Sequence, residues 1–272
     1  MRDKTQKKYI AINKEIDFVQ KQEEKLKKSA QKAKDPEWKK FIEEKVPEKA
    51  FDNLEKAFCT AFSIIFDKGT GLIEKGYDRQ AVLDEYDIKN YEFQVRGNRK
   101  TLANLHRQAG KINMKNMAVT TAEGIGLGAL GIGLPDIVIF TGVLLKGTYE
   151  LSLSYGFDYN SAEEKMFILS IMEASMQKGE AWIDCNNRLN QWISGVHAFS
   201  SGKEDIEYQI RQTAKAFATD MVLMKFVQGL PVVGVIGGTQ NPVYYNKVMK
   251  YAELKYRKRY LFHLQAEGNK IF

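Results

Sequence analysis

The chain is short of the residues that staple, turn and coordinate: it has two cysteines, three histidines and five prolines among 272 residues. Cys59 and Cys185 share no paired spacing. They exclude a disulfide framework and read as buried thiols of a reducing compartment. His106, His197 and His263 have no metal-binding partner three or four residues away, so neither a zinc site nor any cofactor is expected. No glycine elbow surrounds Cys185, which argues against a Cys185–His197 nucleophile pair. Alternating β-branched runs are scarce, which leaves helices rather than strands. The opening MRDKTQKKYIAINKEID lacks the apolar core of a secretory signal, so a cytoplasmic protein is expected, with the inner membrane face open to it.

Charge is plentiful and unevenly placed. The formal net charge is +7. Residues 1–49 carry 15 Lys/Arg against 10 Asp/Glu, and residues 242–272 carry 7 against 2. Both ends are basic and the body between them is mildly acidic. Basic ends attract anionic lipid or nucleic acid, or simply solvate polar helices. The ends lack any helix-turn-helix or zinc-knuckle spacing, and Tyr251, Tyr256 and Tyr260 beside the C-terminal cations keep to roughly one side of the helix, as core packing also requires, which argues against nucleic acid as a partner. The cluster Lys255, Arg257, Lys258 and Arg259 is the candidate anion- or membrane-binding surface.

Apolar spacing sets out the helices. Ile12, Ile16, Val19 and Leu26 form a narrow stripe on a polar N-terminal arm, residues 1–35, suited to docking on a partner helix or on the body. Asp35-Pro36 and Val46-Pro47 break and restart the chain. From Pro47 toward Asp67, Phe51, Leu54, Phe58, Phe62, Ile65 and Phe66 give a broad core face. Lys89–Lys115 reads as one polar helix. Further helices are expected from about Asp136 to Tyr155, over Ile206–Val227 and over about Pro242–Ala266. Ser161-Ala-Glu-Glu164 matches a capping box, in which the Ser hydroxyl takes the N–H of Glu164 and Glu164 reaches back.

Two apolar stretches rich in glycine stand out, Ile125–Leu145 and Val227–Gly238. The first is long enough to cross a bilayer, but Pro135 leaves its second arm too short before Lys146. Gly126-Leu-Gly-Ala-Leu-Gly131 matches the dinucleotide-binding pattern, yet the preceding segment reads as helix, and glycines that let helices approach explain it better. Asp136 lies inside the apolar run. It is either a helix cap beside Pro135 or a buried charge that binds a cation, ligand or partner.

In their order along the chain, several motifs look familiar: Val46-Pro47, Gly124–Gly133, Pro135-Asp136, Tyr155-Gly156-Phe157-Asp158, Ser161–Glu164, Lys225-Phe226, Gly229-Leu230-Pro231, Gly234, Gly237, Gly238 and Asn241. They resemble the EcsC family, bacterial proteins whose founding member is encoded with an ATP-binding-cassette transporter. The resemblance spans roughly residues 40–262. It implies a membrane-proximal role, with a transporter as one partner, and carries over no catalytic residue.

The expected architecture is all-α: one multi-helix bundle over residues 36–272, with two glycine-rich helical hairpins in its core and the N-terminal helical arm beside it. The expected function is non-enzymatic, at the cytoplasmic membrane face. Candidate ligand- or partner-binding residues are Asp136, Tyr155, Asp158, Lys225 and Asn241. One alternative is a module that binds a lipid or other apolar small molecule. Another is a hydrolase using Asp136, Asp158 and Glu163.

Overall fold

A computed structural model describes residues 2–32, 48–68, 70–74, 76–119, 135–196, 201–227 and 241–269. Among them every regular element is a helix: α1 Arg2–Lys32, α2 Glu48–Lys68, α3 Thr70–Glu74, α4 Arg79–Arg96, α5 Arg99–Val119, α6 Pro135–Leu153, α7 Ala162–Met176, α8 Gly179–Ile193, α9 Lys203–Val227 and α10 Asn241–Asn269. The protein is an all-α bundle. Residues 125–134 of the first glycine-rich stretch and 228–238 of the second lie outside the described residues, and with them the dinucleotide-like pattern and the expected hairpins.

The breaks follow local chemistry. The expected single helix over 89–115 is two, α4 and α5, because Gly97 takes a left-handed φ of 59° and ends α4. The Asn98 side chain then accepts the Thr101 N–H at 3.0 Å and opens α5. Asp78 caps α4 in the same way through the Ala81 N–H, also at 3.0 Å. Ser161 caps α7 through the Glu164 N–H at 3.1 Å. The reciprocal arm of the expected capping box is absent, because the Glu164 carboxylate faces inward to Tyr256 and Arg259.

The core is built in two neighbouring parts. Phe58 and Phe62 of α2 meet Phe140 of α6 and Phe217 of α9, with ring centroids 5.2–6.4 Å apart. The broad face read from α2 is therefore a core face. The second part surrounds α10, which α1, α5, α6, α7 and α8 all touch. Its Tyr256 and Tyr260 are essentially fully buried. Gly147 lets α6 approach α10 closely: a Cβ there would lie 2.6 Å from the Tyr245 hydroxyl.

The N-terminal arm is not a separate appendage. Ile12, Ile16 and Val19 are buried, and α1 packs on α10, α8 and α5. Leu26, expected in the same stripe, is 41 % exposed. No helix among the described residues is long and apolar enough to cross a membrane.

Candidate functional site

The turn Tyr155–Asp158 ties the bundle together. Tyr155 is buried, and its hydroxyl lies 3.1 Å from His106 Nδ1. Burial first, and the Arg257 charge second, hold His106 well below its ordinary pKa, so the ring is neutral. Gly156 has φ +79°, and a Cβ there would strike the Tyr86 ring. Phe157 lies beneath the Arg259 guanidinium, 4.0 Å from ring centroid to Cζ. Asp158 accepts from Arg79 at 3.2 Å and from the Asn160 N–H at 3.1 Å.

This geometry makes Tyr155 and Asp158 joints of the fold. It gives no support to the hydrolase reading: Asp158 is paired with an arginine and Glu163 is exposed at the start of α7. The side chains of Asp136, Lys225 and Asn241 lie outside the described residues. No cluster of His, Cys, Asp and Glu able to hold a metal occurs among the described residues.

The basic cluster of α10 requires the main correction, because it is not an exposed anion-binding patch. Lys255 is fully buried, and Lys258 nearly so. Both ammonium groups donate to Glu23 of α1 and to Asn190 Oδ1, the latter at 2.8 Å each. Arg257 pairs with Glu15, which also accepts from Arg99 at 2.8 Å. Arg259 donates to Glu164 at 2.6 Å.

Burial opposes the charge on Glu23, but the two adjacent ammonium groups outweigh it and hold its pKa at about 2. Burial pulls Lys255 down to about 8 despite Glu23. The reason for the correction is charge neutralisation inside the fold: Glu15, Glu23 and Glu164 are themselves buried, so the cations are drawn inward.

Positive charge reaches the surface on α1 instead. Lys7, Lys14, Lys21 and Lys28 recur every seven residues and are all exposed, with Lys25 and Lys32 beside them. At 3.6 residues per turn such positions share one face, roughly 37 Å long from Lys7 to Lys32. Asp17 and Glu24 are the exposed carboxylates described on the same helix. Exposed Ile10, Phe18 and Leu26 accompany the lysines.

A groove runs alongside, between α1, α8 and α10. Its wider end encloses about 390 Å³ and is lined by Leu26, Ser29, Ala30, Trp182, Tyr251, Lys178, Lys247 and Lys250, among others. Its narrower end shares Leu26 and Lys250 and adds Phe18, Lys25, Leu254 and Arg257. Asp220 forms an ion pair with Lys178 at 2.8 Å and accepts from Lys247 at 2.9 Å, whereas Lys250 has no carboxylate partner among the described residues. Glu253 stands at the narrow end, where burial pushes its carboxyl pKa up and Arg257 opposes the shift. The floor is apolar and the rim predominantly cationic.

The model of the EcsC protein family matches residues 11–261. The chain belongs to the EcsC family. It is similar to Protein EcsC of Bacillus subtilis (strain 168), with 27% identity over 168 residues, which cover 61% of this chain and 65% of that protein's length. No solved structure matches. The family match begins inside α1, well before residue 40, so it takes in Glu15 and Glu23 together with their α10 partners. In this EcsC-family chain the N-terminal helix is thus part of the matched unit. Sequence reasoning missed this because the helix is so polar. The available signal was the two carboxylates, Glu15 and Glu23, on the same face as Ile12, Ile16 and Val19.

Proposed function

We propose that this EcsC-family protein is a peripheral membrane-binding protein that docks on anionic bilayers through the outward face of α1. The exposed lysine stripe carries this reading. Each Lys near an anionic surface contributes about 1 kcal/mol, so six offset by two carboxylates supply on the order of 4 kcal/mol at low salt. Ile10, Phe18 and Leu26 add apolar contact at the interface, the second signal that weak anchors require. The neutralised cluster on α10 contributes little to this attraction.

The test is co-sedimentation with phosphatidylglycerol and phosphatidylcholine vesicles. Binding is expected to the first, falling as salt screens the charges. Replacing Lys14, Lys21 and Lys28 together by Gln removes about 3 kcal/mol, a loss of roughly 100-fold. Equal binding to both lipids, indifference to salt, or an unaffected triple variant would refute the reading. A transporter as the true anchor, which the resemblance also implies, would leave the protein unbound to vesicles of lipid alone.

A further inference from the structure

We infer that the groove between α1, α8 and α10 holds one anionic phospholipid, its phosphate at Lys178, Lys247 and Lys250 and an acyl chain on the apolar floor. The inference rests on the membrane reading, since the bilayer is the source of the lipid. Charge complementarity selects the headgroup. Three lysines line the wider end, Asp220 occupies two of them, and Lys250 is left over. A phosphate there meets a net positive rim.

The floor selects a chain rather than a free anion. Trp182 and Tyr251 are buried with their rings packed edge to face at 6.0 Å. The Tyr251 hydroxyl is turned away to donate to Asn186 at 2.9 Å, so its polar end does not interrupt the floor. Leu26 and Ala30 supply the facing wall from α1. About 390 Å³ falls within the size range of small-molecule sites, and apolar walls with a few placed charges are their usual composition. The groove opens beside the lysine stripe, because Lys25 and Phe18 of α1 form its narrow end.

The test uses the full chain and short-chain phosphatidylglycerol kept below its micelle-forming concentration, titrated by calorimetry. Saturation at one lipid per chain is expected, at least tenfold tighter than for phosphatidylcholine of equal chain length or for inorganic phosphate. Lys250→Glu should weaken it at least tenfold, and Ser29→Phe, which adds bulk at the wall, should abolish it. Both positions are exposed, so thermal melts should match the parent. The Lys14/Lys21/Lys28→Gln variant should lose vesicle binding and keep the soluble lipid.

No saturable uptake, as when a second copy of the chain fills the groove, would overturn the inference. So would equal affinity for the zwitterionic lipid or free phosphate, or parental affinity in both groove variants. Vesicle binding without uptake of the soluble lipid defeats the groove and spares the docking reading. Uptake without vesicle binding does the reverse.

Discussion

Replacing Glu23 by Ala removes the shared partner of two buried lysines, and the cost follows from the charges. Holding Glu23 at about 2 rather than 4.5 corresponds to about 3 kcal/mol in favour of its ionised form in the folded chain. Drawing Lys255 from 10.5 to about 8 corresponds to a similar amount against the ammonium. The intact cluster therefore contributes little net stability, but breaking it leaves Lys255 and Lys258 with only Asn190 to accept from them. Removal of one partner of a buried pair costs about 3–5 kcal/mol. For a chain of this size that lowers Tm by roughly 6–10 °C.

The sign with pH follows from the depressed carboxylate. Its contribution is present above the unfolded value of about 4.5 and is lost as pH falls from there toward 2. Urea unfolding at pH 7 measures the loss as a lower midpoint at unchanged slope. Replacing all three charges, Glu23→Leu with Lys255→Met and Lys258→Met, should restore stability to within about 1 kcal/mol of the parent. A single variant that loses less than about 1 kcal/mol, or a triple variant as unstable as the single, would refute the reasoning.

Other expectations follow from single contacts. Gly147→Val should cost about 1–3 kcal/mol in thermal unfolding, because its Cβ would meet Tyr245 at 2.6 Å and Met249 Sδ at 3.1 Å. Tyr155→Phe should cost about 1–3 kcal/mol, since it leaves buried His106 without the partner of its Nδ1. Ser161→Ala should lose about 1 kcal/mol and Ser161→Asp should retain the cap, as read by urea unfolding. A thiol reagent at neutral pH should label half-buried Cys59 before Cys185, whose thiol is pushed up to about 11 by burial and by Glu173. Mass spectrometry of the first-labelled peptide checks the order.

The fold was legible where one residue acts locally. The Phe58–Phe62–Ile65 face, the Ser161 cap and the Gly156 turn are visible in the sequence because spacing or backbone chemistry alone dictates them. The Gly97-Asn98 break was equally local and was passed over inside a run of polar helix formers. The candidate site was less legible, since tertiary pairing decides it. Ile12, Ile16 and Val19 pointed α1 inward and Glu15 and Glu23 share that face, but the cations that neutralise them lie at the far end of the chain, on α10. Leu26 keeps its place beside that stripe yet lies over the groove, so its exposure depends on how α8 and α10 sit against α1. A cationic rim assembled from Lys25, Lys178, Lys247 and Lys250 comes from three parts of the chain and has no sequence signature.

Spacing, rather than the number of cations, separates the two basic ends. At about 100° per residue, Lys255, Arg257, Lys258 and Arg259 point around most of the helix circumference. Helices α1 and α4 through α9 all touch α10, so no orientation turns all four cations to water. Carboxylates from α1 and α7 must meet them, and Glu15, Glu23 and Glu164 do. Lysines repeated every seven residues on α1 behave oppositely. They fall in one band, and α1 contacts its neighbours on the other side through Ile12, Ile16 and Val19. The carboxylates that neutralise α10 also fix the rotation of α1, which directs its lysines outward. The internal ion pairs and the proposed membrane face are therefore two consequences of one docking geometry. Releasing α1 by breaking the Glu23 pairs should weaken vesicle binding only as far as it disorders that face.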